Sequence, residues 1–99
     1  MTFNIDDVRD EIRPATVALI ADLESWGVPA NPYIMEDDSV TIEWYSKSWR
    51  MGFFTDFKPE DCGWYLVTDE TLGNLRVLGD LHSAEMYQMI KWGLEHVGE

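Results

Sequence analysis

The residues best suited to nucleophilic chemistry are one cysteine and two histidines. Cys62 is the single thiol of the chain, and His82 and His96 are its two imidazoles. A catalytic thiol needs a neighbouring base and a third group that orients this base. The spacing of the three residues does not indicate such an arrangement, and the negative charges of Glu60 and Asp61 beside Cys62 disfavour a thiolate. We therefore expect no catalytic residues and no enzymatic activity.

The sequence does not indicate a metal or cofactor site either. Glu36, Asp37 and Asp38 are consecutive, whereas a calcium loop alternates its ligands and ends on a bidentate glutamate. Two histidines without a third nitrogen or sulfur ligand at the usual spacing make a poor zinc site. The seven glycines are scattered at chain breaks and do not form a phosphate-binding loop. We expect no cofactor and no metal.

Charge is the strongest compositional signal. Nineteen acidic residues and seven basic ones give a formal net charge of −12. Such a field opposes direct binding to nucleic acids and anionic membranes, and it favours a partner protein with a basic surface. The same charge is also typical of a surface that is acidic only for solubility. The sequence leaves both interpretations open.

Length and residue types predict one domain covering residues 1–99. Five Trp, four Tyr and four Phe are enough to dominate the core of a chain of 99 residues. A lone cysteine excludes an intramolecular disulfide and fits a reducing cytoplasm. The N-terminal residues do not resemble a signal peptide, and no apolar run approaches the roughly 20 residues of a membrane span. We expect a cytoplasmic protein.

Apolar residues recur at steps of three or four near the N-terminus, as on one face of an amphipathic helix. Asn4 is the expected N-cap of this helix. Pro14 either kinks the helix near Arg13 or begins a second helix over residues 14–26. The apolar face comprises Ile5, Val8, Ile12, Ala15, Leu19, Leu23 and Trp26.

Four strands are predicted over residues 40–45, 49–54, 64–68 and 75–78. The first two form a hairpin around residues 46–48, and Ser83 caps a closing helix whose predicted face includes Val97. Short connections favour an antiparallel meander, and the two helices must cover its apolar face. The fold class is thus α+β, in the order α-β-β-β-β-α, with a four-stranded antiparallel meander and two helices packed on one face. The other face carries Thr41, Glu43, Tyr45, Arg50, Phe54 and Tyr65.

Several segments together resemble a loose group of small uncharacterised bacterial and phage proteins. The matching segments are the helix ATVALIADLESW, the connector with Pro29 and Pro32, the stretch DDSVTIEW at 37–44, and the late helix with Lys91 and Trp92. The group has a D-G-x-I-x-L-E-W hairpin, in which Asp38 and Ser39 here stand where Asp-Gly is usual. The resemblance implies the fold, an association with mobile elements and a location in a bacterial host cell.

Acidic residues are concentrated in the first helix and at the hairpin entry. Carboxylates spaced along these segments could copy the charges of a phosphate backbone and occupy a basic groove. The sequence therefore suggests a phage or mobile-element inhibitor of a host defence or nucleic-acid-binding complex, anti-CRISPR-like and acting as a DNA mimic. The expected partner-binding residues are Asp6, Asp7, Asp10, Glu11, Glu36, Asp37, Asp38, Glu43, Tyr45, Trp49 and Phe54.

Two alternatives remain open. The chain could be an immunity protein or a secretion-type chaperone that binds one partner through an exposed aromatic patch or as a dimer. It could also bind a small ligand in a pocket between the sheet and the helices. The sequence does not determine the partner or the oligomeric state.

Overall fold

The computed structural model describes residues 3–99 and confirms an α+β fold with two helices and an antiparallel sheet. The sheet has five strands, one more than predicted, arranged in the order β1-β2-β3-β4-β5 with every neighbouring pair antiparallel. The strands are β1 (Pro32–Ile34), β2 (Val40–Tyr45), β3 (Trp49–Thr55), β4 (Gly63–Thr68) and β5 (Arg76–Gly79). The helices are α1 (Arg13–Ser25) and α2 (Ala84–Glu95), and neither is long and apolar enough to cross a membrane.

The strand missing from the prediction is β1, at the end of the proline connector. Proline has no N–H to donate to a neighbouring strand, so its presence argues against a strand in the sequence pattern. It is nevertheless tolerated at a sheet edge. Pro32 lies opposite Ile42 in this edge strand. In the following turn, Met35 donates to Ser39 O at 2.8 Å, and Asp38 has a left-handed φ of 69°. This is the geometry of a three-residue hairpin loop.

The N-terminal segment forms two separate helices, which agrees with the second of the two alternatives predicted for Pro14. Asn4 does act as a cap, because its Oδ1 accepts the Asp6 N–H at 3.0 Å, but it caps a three-residue 3-10 helix at Ile5–Asp7. Helix α1 starts separately at Arg13, with Pro14 in its first turn, where the missing N–H costs nothing. The predicted face is correct at its buried residues Val8, Ile12, Leu19 and Leu23, whereas Ala15 and Trp26 are exposed and Thr16 is buried instead.

Both helices pack against the same face of the sheet, which we call the inner face. Gly93 of α2 contacts the rings of Trp44 and Trp49, and α1 reaches β3 through a buried hydroxyl pair. The predicted face of α2 is correct except for Val97, which lies beyond the helix end and is 63% exposed. The core comprises Val8, Ile12, Leu19, Leu23, Val28, Val40, Ile42, Trp44, Trp49, Met51, Phe53, Trp64, Leu66, Met86 and Ile90.

The two helices also contact each other directly, although they lie at opposite ends of the chain. The Tyr87 hydroxyl donates to Asp22 Oδ2 at 2.7 Å, and the Tyr87 ring stacks on Trp26. Ser83 caps α2 as predicted, because its Oγ accepts the Met86 N–H at 3.2 Å. The helical layer is therefore continuous beneath the sheet.

Candidate partner-binding surfaces

Two acidic segments far apart in sequence meet at one end of the sheet. The β1–β2 turn lies at this end, and so does the β3–β4 loop, because Val40 pairs with both Ile34 and Thr55. The N-terminal segment reaches the turn through Arg9, whose Nη1 is 3.5 Å from Asp38 Oδ2. We call this surface the acidic end; its seven carboxylates, all exposed, belong to Asp6, Asp7, Asp10, Glu11, Glu36, Asp37 and Asp38.

The two arginines of the acidic end are engaged within the molecule. Arg9 also lies 3.4 Å from Glu11, while Arg13 lies 2.9 Å from Asp10. Arg13 Nη2 donates to the carbonyl oxygens of Val8 at 2.7 Å and Asp6 at 3.2 Å. The backbone contacts of Arg13 thus hold the segment in place, and seven carboxylates against two paired arginines leave the surface strongly negative.

Asp37 is fixed in its ionised form by the turn. Its Oδ1 accepts the Ser39 hydroxyl at 2.5 Å and the Ser39 N–H at 3.0 Å. These hydrogen bonds, the hydroxyl first, hold the pKa of the Asp37 carboxyl below its usual range. Serine at position 39 therefore adds a hydroxyl hydrogen bond to Asp37, whereas a glycine there would provide only the backbone N–H.

An open depression joins the acidic end to the outer face of the sheet, the face turned away from the helices. The ring of Phe54 lines it beside carboxylates of the turn and of Asp56. A long basic side chain suits such a lining, because its aliphatic stem can pack on an aromatic ring while its charged head meets carboxylates. The lining residues are Met35, Glu36, Asp37, Ser39, Thr41, Phe54 and Asp56.

The outer face is rich in tyrosine. Tyr45 is 65% exposed, and Tyr33 Oη donates to Glu43 Oε1 at 2.5 Å. Partial burial, and then the hydrogen bond and charge of Glu43, raises the pKa of Tyr33 to about 12. Tyr65 lies near the same carboxylate, and its pKa is also raised, mainly by burial. This part of the face therefore carries neutral tyrosines around one carboxylate.

Two strand glycines let aromatic rings lie close to the outer face. A Cβ added at Gly52 would come within 2.2 Å of Tyr65 Cε1, on the strand beside it. A Cβ at Gly63 would come within 3.0 Å of Phe54 Cζ. Cross-strand pairs of glycine with an aromatic residue are a known way to cover a bare backbone. A glycine inside a strand pattern indicates a close approach of this kind, so Gly52 and Gly63 were a signal for this surface that the predicted residues did not include.

Among the residues expected to bind a partner, Trp49 lies on neither the acidic end nor the outer face. It is on the inner face and 3% exposed, and its Nε1 donates to His96 O at 3.0 Å. Its ring packs edge-on against Trp44 and Trp92. Trp49 is a core residue of the sheet–α2 contact, and we remove it from the proposed surface. The structure places Glu43, Tyr45 and Phe54 on the outer face, with Glu43 and Phe54 half-buried.

Cys62 and the two histidines each have separate structural partners. Cys62 Sγ accepts the Asp56 N–H at 3.2 Å. His82 Nδ1 lies 3.1 Å from Asp22 Oδ2, and His96 stacks on the ring of Trp92. Within residues 3–99, no group of three or more His, Cys, Asp or Glu residues is arranged to hold a metal ion.

Comparisons with protein-family models, with curated proteins and with solved structures find no match to this chain, so its function is argued from the surfaces described above.

Proposed function

We propose that this protein is an acidic binding module whose acidic end occupies a basic surface of a partner protein. The observation that supports this most directly is the Arg9–Asp38 contact, which joins carboxylates from two separate segments into one surface. Acids that served only for solubility would not need to be joined in this way. The role is binding, without catalysis.

The depression beside Phe54 supplies a specific contact for this partner. A lysine or arginine inserted there would meet Glu36, Asp37 and Asp56 and would pack its stem on the ring. Asp37 is ready for this contact, because Ser39 already orients its carboxylate. The depression therefore favours a partner with a protruding basic side chain at the rim of a positively charged groove.

In its specific form, the proposal is that the partner is a nucleic-acid-binding complex of a bacterial host. The protein would then be a phage or mobile-element inhibitor that mimics DNA and prevents the complex from binding its nucleic acid. A basic groove attracts any suitably spaced array of negative charge, and this attraction is strongly screened by salt. Displacement of the protein by duplex DNA is expected, because both would occupy one groove.

The test compares two variants of equal net charge. The first replaces four carboxylates of the acidic end, as Asp6→Asn, Asp7→Asn, Glu11→Gln and Glu36→Gln. The control replaces four exposed carboxylates elsewhere, as Glu24→Gln, Glu70→Gln, Glu95→Gln and Glu99→Gln. Partners are captured from a bacterial lysate on the wild-type protein and identified by mass spectrometry. The affinity of each purified partner is then measured for all three proteins.

We expect the acidic-end variant to lose at least about tenfold in affinity, equivalent to about 1.4 kcal/mol, and the control to lose much less. Binding should also weaken from about 0.01 M to about 0.15 M salt, as the Debye length shortens from about 30 Å to about 8 Å. Equal losses in the two variants, or an affinity unmoved by salt, would contradict the proposal.

A second candidate function is binding of one partner through the outer face, as in an immunity protein or a secretion-type chaperone. The exposure of Tyr45, Leu78 and Tyr33, at 65%, 70% and 39%, favours it, because exposed aromatic residues are candidate anchors for a partner. Tyr45→Ser would then abolish binding to the captured partner. The four acidic-end substitutions would leave this binding intact.

A further inference from the structure

The two edge strands of the sheet differ in how well they are protected against pairing with a further strand. Edge strand β1 has only three residues, and Pro32, which faces the free edge, has no N–H to offer. Edge strand β5 has no proline, and its neighbourhood is apolar and open, with Leu78 70% and Val77 36% exposed. In the described part of the chain, no strand lies beyond β5. An open apolar edge of this kind is a template for pairing with another strand.

The hydrogen-bonding direction along β5 follows from its register with β4. Leu75 O accepts the Thr68 N–H at 2.9 Å, so the backbone groups of Leu75 point toward β4. Because this direction alternates along an antiparallel strand, Val77 and Gly79 also point toward β4. Arg76 and Leu78 therefore point their N–H and C=O groups to the free edge, and Asp80 is the first residue after the strand.

We infer that a second copy of this chain pairs with β5, strand against strand in antiparallel orientation, with Leu78 of the two copies facing each other on the twofold axis. Any antiparallel register centred on a residue keeps each face of the sheet continuous, and the two centred on exposed apolar residues of β5 have Leu78 or Val77 on the axis. Only the register centred on Leu78 places Arg76 opposite Asp80 of the second copy. The result is a ten-stranded sheet whose outer faces join across the axis.

Charge complementarity selects both the occupant and the register. The twofold axis creates two Arg76–Asp80 pairs, one on each side of Leu78, although each copy carries a net charge of −12. The register centred on Val77 would instead place Arg76 opposite Leu78, without a partner for its charge. Asp80 O accepts the Ser83 hydroxyl of its own chain at 2.7 Å, so the Arg76–Asp80 pairing is one between side-chain charges. A basic partner protein would not need Arg76 on this edge.

Sedimentation equilibrium of the full chain tests the pairing, and a dimer with a dissociation constant in the micromolar range is expected for so small an interface. Arg76→Glu and Asp80→Arg should each weaken it about tenfold, because every dimer loses two attractive pairs. The double variant Arg76→Glu, Asp80→Arg should restore it. A chain that is monomeric at about 1 mM, or a double variant as weak as the single ones, overturns the proposal.

Cross-linking tests the register independently. In a Cys62→Ser background, Leu78→Cys places two thiols on hydrogen-bonded partners with Cα atoms about 5.5 Å apart, within the range of a disulfide. Val77→Cys is the matched control on the same strand, and its thiols lie opposite Gly79 of the second copy. Oxidation should link the Leu78→Cys protein and leave the Val77→Cys protein unlinked. The reverse result overturns the register, and circular dichroism of each variant verifies the fold.

Discussion

The hydroxyl oxygens of Thr16 in α1 and Thr55 in β3 lie 2.8 Å apart in the core, and both residues are fully buried. Thr16 Oγ1 also lies 2.8 Å from Ile12 O, to which it donates its proton. A hydroxyl has one proton, so Thr55 must be the donor in the pair. This polar link between helix and sheet is therefore directional.

The direction of this hydrogen bond predicts that substitutions of Thr16 and Thr55 lower the free energy of unfolding by unequal amounts. Thr16→Val leaves the buried Thr55 O–H without its acceptor and should lower the free energy of unfolding by about 1–3 kcal/mol. Thr55→Val leaves Thr16 bonded to Ile12 and should cost less. The double variant should be more stable than Thr16→Val alone, because no donor is then stranded. Urea denaturation of the three variants measures these differences, and equal single costs would contradict the assignment.

Gly93→Ala tests the contact between α2 and the tryptophans. Alanine normally stabilises a helix interior by about 1 kcal/mol relative to glycine. Here the new Cβ would lie 2.7 Å from the buried Trp44 ring, and overpacking costs about 1–3 kcal/mol. We expect a net decrease in the free energy of unfolding and a change in the wavelength of tryptophan emission. Lys91→Ala, on the exposed side of the same helix, should stay within about 0.5 kcal/mol of wild type.

The raised pKa of Tyr33 predicts a loss of stability at high pH. Folding raises this pKa from 10.0 to about 12, so the folded state favours the protonated phenol. The contribution is complete below pH 10 and is lost as pH rises from 10 to about 12. Absorbance near the tyrosinate band should show a late-titrating group that disappears in Tyr33→Phe. A Tyr33→Phe titration indistinguishable from that of wild type would refute the assignment.

The left-handed backbone of Asp38 gives a test that separates conformation from charge. Asp38→Gly and Asp38→Ala both remove the carboxylate and its exposed contact with Arg9. Only alanine keeps the steric cost of a φ of 69°, which is about 1–2 kcal/mol for a residue with a Cβ. The glycine variant should therefore be the more stable of the two by about 1 kcal/mol. Thermal denaturation compares them directly.

Much of the fold follows from local patterns. The alternation in β2 and β3 and the capping role of Ser83 require only neighbouring residues, and the structure confirms them. The pattern could not decide between a kink and two helices at Pro14, because apolar residues before Pro14 continue the spacing of those after it. Strand β1 was missed because its stability comes from pairing with β2, which a three-residue pattern cannot indicate.

The candidate surface was predictable only in part. Residue type identified the acidic segments, but their union depends on the Arg9–Asp38 contact across 29 positions, which no local pattern encodes. For Trp49, in contrast, the local pattern was informative and the residue type was misleading. Its place in the alternation indicated the core, while its residue type suggested an interface anchor, and the alternation was the better guide.

The Asp22–Tyr87 hydrogen bond joins residues 65 positions apart, whereas every strand pairing of the meander connects neighbours in the chain. The sheet can therefore assemble by closing short loops, which is the fast route in folding kinetics. The helix–helix contact needs closure of a far longer loop and has its partners in place only once the sheet exists. Docking of α1 against α2 is consequently expected to complete the folding transition, with Tyr87→Phe raising the unfolding rate and leaving the folding rate almost unchanged.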